Sequence, residues 1–288
     1  MSIAAQNAAN TIIRDKKGRY RPLFMAAIIA IQVVVLLVEM AVNYQLTGAF
    51  IATGDQFNYL IGPGALAWIR SGARFTACMR STILDHASLM LPGMTKAMSI
   101  DSLCGFGGFP SGAPDQWYRL VIPMFLHGGI IHLLFNSLFQ WRNGMDMERE
   151  WGALRLAPIY LLGGLGGFLL GAVVAPIQMI SLGASGCVFA LLAASLVDLL
   201  QHWNETAGRG RQLTELVLVI VISLAIGLLP GIDNFAHIGG FLFGILASLA
   251  LLPPMAGRFW RASRWIGGAM LIALFIALFV VFYTEPDP

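Results

Sequence analysis

The chain has 288 residues, 57% of them hydrophobic and 11% charged. Soluble globular proteins carry about 25% charged residues, so the composition excludes a soluble domain and marks an integral membrane protein. A formal net charge of +3 gives no footprint for nucleic acid, and the three cysteines (Cys78, Cys104, Cys187) form no CxxC or His/Cys cluster, so no metal or other cofactor is expected.

Residues 1–22 carry Arg14, Lys16, Lys17, Arg19 and Arg21 and read as a basic cytoplasmic N-terminus. The apolar run at about 23–42 follows without a clean small-residue cleavage site, so it reads as a signal anchor that stays in the chain. A long outer loop, 43–127, comes next. It contains IGPGALAWIRSGARF, with Leu66, Trp68, Ile69 and Phe75 as expected interfacial anchors on short helices at the outer leaflet. Cys78 and Cys104 share this loop. They would pair if the outside is oxidising, and the sequence leaves both the disulfide and the free thiols open.

Six more runs match the roughly 20 apolar residues a helix needs to span a bilayer: about 128–145, 156–176, 183–200, 212–230, 235–252 and 265–283. With the N-terminus in the cytoplasm, 13 of the 18 Lys and Arg residues fall on the cytoplasmic side, and the other five (Arg70, Arg74, Arg80, Lys96, Arg119) fall in the long loop. Long loops count little in the positive-inside rule, so this orientation is expected, with the C-terminal tail outside or lumenal. The membrane is expected to be that of the secretory pathway or the plasma membrane.

Ionisable groups inside a span are costly and are functional candidates by default. His132 and Asn136, four residues apart, lie on one helix face. His237 is followed by Gly240 and Gly244 at GxxxG spacing, where small residues allow close helix approach. Ser185 lies in SLGASGCVFA, between Gly183 and Gly186, with nothing charged beside it. The runs carrying His132, Ser185 and His237 all pass from outside to inside, and a rise of about 1.5 Å per residue puts these groups at similar depth. A serine hydroxyl becomes a competent nucleophile when a histidine takes its proton. Backbone N–H at a helix start, His132 and the Asn136 amide are the available donors for an oxyanion. No Asp or Glu is placed to orient His237, so the candidate is a Ser–His dyad, with Phe189, one turn after Ser185, facing the imidazole. His127, nearer the interface, is ambiguous between the site and support of the loop by hydrogen bonding.

Other chemistries fail on inventory. His127 and His132 are five apart and do not share a helix face, unlike the pair of HExxH. An intramembrane aspartyl protease needs two buried Asp, and the spans offer Asp198 alone, near an inner end. Cys187 occupies the last glycine position of a GxSxG elbow. Transport would call for internal repeats or charged midplane sites, which are absent from the sequence.

The residues WYR at 117–119, HGGIIHLLFN at 127–136, Glu148 with Gly152 as ExxxG, GASG at 183–186 and AHIGG at 236–240, in this order, resemble the rhomboid family of intramembrane serine proteases over about residues 110–252. The resemblance implies Ser185 as nucleophile, His237 as general base, His132 and Asn136 as oxyanion contributors, and Gly183 close to the reacting carbonyl. It places Arg119 in the structural part of the first loop and Glu148 in a cytoplasmic-side packing network. A span after the core is similar to the eukaryotic secretase type. Phe189 stands where many bacterial members have tyrosine, keeping the ring and losing the hydroxyl.

The expected fold is an all-α polytopic membrane protein with a rhomboid-like six-helix core at 23–252, a cytoplasmic linker at 253–264 and an extra helix with a short tail at 265–288. The expected partners are single-span membrane protein substrates and membrane lipids. Two alternatives are a rhomboid-like pseudoprotease that binds transmembrane helices without cutting, and a transporter or channel.

Overall fold

The computed structural model describes residues 18–54, 57–92, 94, 96–228 and 232–284. Arg14, Lys16, Lys17 and the tail 285–288 lie outside the described residues. The chain is mostly helical. Helix α1 is Leu23–Thr47, α2 Ala65–Ser71 and α3 Ile100–Cys104. Ile130–Phe139 (α4) passes through one π-turn, Gln140–Gly144, into Met145–Trp151 (α5). Then come α6 Ala153–Val174, α7 Ser185–Gln201, α8 Arg209–Ile226, α9 Asn234–Leu251 and α10 Arg258–Thr284. Helices α1, α6, α9 and α10 are long and apolar enough to cross a membrane; α7 is a shorter apolar helix. Each of the seven apolar runs carries helix, with the largest shifts in four: α1 runs on to Thr47 past the expected 42, α5 ends at Trp151 past the expected 145, α8 spans Arg209–Ile226 against the expected 212–230, and α10 starts at Arg258, seven residues early and inside the expected 253–264 linker.

Helix α1 has no side-chain cap of its own. Its first N–H groups are satisfied from far along the chain: Glu148 on α5 accepts from Phe24 N at 2.9 Å and Met25 N at 2.8 Å. A carboxylate suits the positive end of a helix, and this one is fully buried, so it ties the start of α1 to α5. Farther along α1, Gln32 donates to Tyr160 Oη (3.1 Å) on α6 and accepts from Gln140 (3.0 Å) in the π-turn, while Tyr160 donates to Gln140 (3.1 Å). Three polar side chains thus satisfy one another in an interior where an unpaired group is costly.

Helices α6, α7 and α9 pack most closely, and glycine permits it. A Cβ on Gly166 would strike the Phe243 ring, on Gly163 the Ala190 methyl, and on Gly240 the backbone carbonyl of Gly186. The close approach expected at Gly240 and Gly244 is therefore made on α7, where Gly240 meets Gly186 and Gly244 meets Ala190. Helix α10 packs on this group, with Phe275 against Phe243 at 4.4 Å between ring centroids. Helix α8 is the exception: none of its side chains is buried.

The 43–127 segment is a folded unit. Cys78 and Cys104 form a disulfide with Cα atoms 5.6 Å apart, and Ser88–Leu89 pairs antiparallel with Met98–Ser99. Arg119 is fully buried at its centre. It donates to the carbonyls of Ile69 (2.9 Å), Ala73 (2.7 Å) and Cys104 (2.6 Å) and to Gln116 Oε1 (2.7 Å). Burial pulls its guanidinium down to about 10 from the ordinary arginine range. One expectation is corrected here. Ile69 and Phe75 do not anchor at a lipid interface; both are fully buried in the segment's own apolar core with Ile100 and Leu103. The disulfide closes the segment on itself, and α2 turns its apolar face inward.

Gly240→Ala tests the glycine packing. The new methyl meets backbone, which cannot rotate away, so a loss of about 1–3 kcal/mol is expected from overpacking. Gly210→Ala on α8, with nothing within 4 Å of the added carbon, is the control. Thermal unfolding in detergent should separate the two, with Gly210→Ala at or above wild type.

Candidate active site

Ser185 is the first residue of α7. The approach to it is fixed by backbone. Ser181 and Arg74 exchange both N–H···O bonds (2.9 and 3.0 Å), and Gly183 N donates to Pro123 O at 2.9 Å. Gly183 has φ 127°, where a side chain is strained. A Cβ there would also lie 2.6 Å from His132 Cε1. Glycine is therefore needed at 183 twice over, for its conformation and for the room it leaves the His132 ring.

His237 sits in the first turn of α9. That turn is capped by Asp233, whose Oδ1 accepts from Phe235 N (3.0 Å) and Ala236 N (3.2 Å). The Gly186–Gly240 contact brings α7 and α9 together, and His237 Nε2 lies 2.8 Å from Ser185 Oγ. The Phe189 ring stacks on the imidazole at 4.6 Å between centroids and 12° between planes. His237 is 6% exposed.

His132 faces Gly183 from α4. Its Nδ1 accepts from Gly128 N at 3.2 Å, which leaves the proton on Nε2, the ring nitrogen 2.9 Å from the Cβ position of Gly183. Asn136 is buried one turn on, with Nδ2 donating to His132 O at 3.1 Å. His127 supports the loop: its backbone N–H donates to Glu39 Oε2 at 3.0 Å, tying the start of this segment to α1. Thus Ser185, His237, His132, Gly183 and Phe189 come together around one point, and Asn136 joins them through the His132 carbonyl of its own helix. Gly240 and Gly244 set the spacing of the helices behind it. Arg119, Glu148 and the Cys78–Cys104 pair lie elsewhere in the scaffold.

Three residues at this site escaped the sequence reading. Arg74 is fully buried and pairs with Asp233 Oδ2 at 2.9 Å, while also donating to Gly171 O at 3.1 Å. Burial lowers its pKa, and the Asp233 charge and hydrogen bond oppose that shift. Arg74 thereby grips both arms of the site, the stretch leading to Ser185 through its backbone and the cap of α9 through its side chain. Its sequence distance from Asp233 gave no signal. Asn234 contacts His237 Nδ1 through Oδ1 at 3.2 Å. Its i, i+3 spacing from His237 was the available clue.

The family model of the Rhomboid domain matches residues 114–254. The chain is 41% identical over 239 residues to Rhomboid-type serine protease 2 of Emericella nidulans, a match covering 77% of this chain and 48% of that protein. It is 38% identical over 214 residues to Inactive rhomboid protein 1 of Homo sapiens (72% and 24%) and 43% identical over 138 residues to RHOMBOID-like protein 4 of Arabidopsis thaliana (48% and 35%). The chain belongs to the rhomboid family. It spans about half or less of the length of these curated relatives.

Breaking a buried ion pair by removing one partner costs about 3–5 kcal/mol. Arg74→Met and Asp233→Asn should each lower thermal stability strongly. The double variant should lose clearly less than the sum, because no orphaned charge remains. Additive losses in a thermal double-mutant cycle would show that the pair is not coupled.

Proposed function

We propose that this rhomboid-family chain is an intramembrane serine endopeptidase that cleaves single-span membrane proteins in or beside their transmembrane segment. The observation that carries the reading is the 2.8 Å approach of His237 Nε2 to Ser185 Oγ, with Phe189 stacked on the imidazole. His237 takes the Ser185 proton as Oγ attacks the scissile carbonyl. The oxyanion that develops is met by His132 Nε2–H beside Gly183, by the Asn136 amide and by backbone N–H at the start of α7. One such donor contributes about 3–4 kcal/mol to the transition state. His237 then passes its proton to the leaving amine, and water hydrolyses the acyl-enzyme by the same route in reverse roles.

The substrate has to unwind locally, since a helical peptide bond is shielded by its own hydrogen bonds. Glycine and other weak helix formers near the cut are favoured. Entry between α4 and α8 fits the lack of buried side chains on α8. In this reading all seven apolar helices cross the bilayer, α1 to α9 form the core and α10 is the extra span. The N-terminus is cytoplasmic, the 43–127 segment is outside, and the host membrane belongs to the secretory pathway or the cell surface.

A second reading has a specific basis: Inactive rhomboid protein 1 is 38% identical. In that reading the chain binds transmembrane helices without cutting. Purified protein in liposomes with a labelled single-span substrate, Gly-rich in its outer half, separates the two. Wild type should cut, and Ser185→Ala and His237→Ala should each lose about 10³-fold or more. Equal cutting by wild type and Ser185→Ala would sink the dyad. Binding with no cutting by any variant would select the second reading.

Orientation has its own test. Asn204-Glu205-Thr206 is the one Asn-X-Ser/Thr triplet in the sequence, and Asn204 is exposed in the turn between α7 and α8. It is cytoplasmic in this orientation. Expressed in a glycosylating cell, the chain should stay unmodified, whereas a triplet built at Ser81 to Ile83 in the outer loop should gain one endoglycosidase-sensitive glycan. Modification at Asn204 would invert the topology.

A further inference from the structure

A neutral imidazole serves as a base toward Ser185 only when Nε2 carries the lone pair and Nδ1 the proton. The partner of Nδ1 decides which tautomer is present. Here that partner is the Asn234 amide, which could in principle present oxygen or nitrogen. Its other end settles the matter. Asn234 Nδ2 lies 3.0 Å from the carbonyl oxygen of Leu224, which can only accept. The amide oxygen therefore faces His237 Nδ1 at 3.2 Å and accepts its proton. Nε2 is left with its lone pair toward Ser185 Oγ, 2.8 Å away.

Leu224 belongs to the last turn of α8, where carbonyls lack intrahelical partners. Those of Ser223 and Ala225 accept from Gly227 N and Leu228 N, and that of Leu224 accepts from Asn234. The fit depends on Gly227, because a Cβ there would collide with Asn234 Oδ1. Gly227 has φ −62°, so glycine serves here for room and not for conformation. Helix α8 has no buried side chain, so a loosely seated helix holds the far end of the amide that orients the base. Among the described residues, the other polar and aromatic groups around His237 are Ser185 and Phe189 on α7, His132 on α4, and Asp233, which is engaged by Arg74 and the α9 cap.

We propose that Asn234 is the positioning residue of the dyad: it sets the tautomer of His237 and, through the Leu224 carbonyl, ties that tautomer to the seating of α8. The inference rests on the protease reading. A helix displaced by an incoming substrate releases the amide, and the tautomer is restored when α8 returns.

The test pairs kinetics in liposomes with ¹⁵N shifts of the histidine ring, which report the tautomer whether or not the protein cuts. Asn234→Ala should lower kcat about 10²-fold with KM within about twofold, and the His237 signal should move from Nδ1–H to a tautomer mixture. Asn234→Asp keeps an acceptor on Nδ1–H. It should retain most of kcat and move the acid limb of the pH–rate profile upward, because a carboxylate favours the imidazolium. Gly227→Ala, with Asn234 intact, should resemble Asn234→Ala. An unchanged tautomer and kcat in Asn234→Ala would overturn the proposal, as would equal losses in the Ala and Asp variants with matching falls in Tm. If wild type does not cut, the protease reading fails, and an Nδ1–H signal lost in Asn234→Ala still supports the positioning role.

Discussion

The buried Arg74–Asp233 ion pair is the interaction on which the rest of the site depends. Neither charge could stay in this interior alone. Arg74 fixes three things at once: its backbone pairs with Ser181 just ahead of Ser185, its side chain reaches the Gly171 carbonyl near the end of α6, and its second nitrogen holds Asp233. Asp233 spends its other oxygen on capping α9. The 43–127 segment, the stretch before α7 and the start of α9 are therefore tied to one another. Arg119 does the equivalent within the 43–127 segment, gathering carbonyls from α2, α3 and the turn at Ala73, next to the disulfide.

That framework sets direction, while glycine sets distance. Helices have no hydrophobic drive to associate inside a bilayer, because lipid is as apolar as leucine; close packing and interhelical polar contacts take its place. Gly163, Gly166, Gly186, Gly240 and Gly244 remove the side chains that would separate α6, α7 and α9. A hydroxyl on one helix and an imidazole on another reach hydrogen-bond distance only because the backbones behind them touch. Helix α8, by contrast, has no buried face. The bundle is thus tight where the candidate chemistry is and loose at its side.

The helices, and the residues that meet at Ser185 and His237, were legible in the sequence because both signals are local. Twenty apolar residues announce a span, and GASG, HLLFN and AHIGG are short strings with matched depth. Ile69 and Phe75 were misplaced because an apolar residue bound for a loop's own core looks the same as one bound for a lipid surface. The deciding facts, a disulfide and a buried Arg119, are long-range. Arg74 and Asp233 are 159 positions apart and carry no shared periodicity. In a count of loop charges Arg74 is only one of five basic residues. Gln32, Gln140 and Tyr160 were passed over for the same reason, since a neutral polar residue in a span is unremarkable until its partners are known.

The absence of an acidic third member beside His237 now has a physical rationale. An oriented carboxylate would put another charge into a region where each charge must be paired and hydrogen-bonded. The nearest carboxylate, Asp233, is turned away and neutralised by Arg74. An amide does the orienting without adding charge, provided something fixes which of its ends faces the ring. The Leu224 carbonyl supplies that constraint, and a helix terminus is where a carbonyl is free to do so. For the proposed base, a neutral, doubly anchored asparagine orients the ring without a further buried charge and ties it to the helix at its other end.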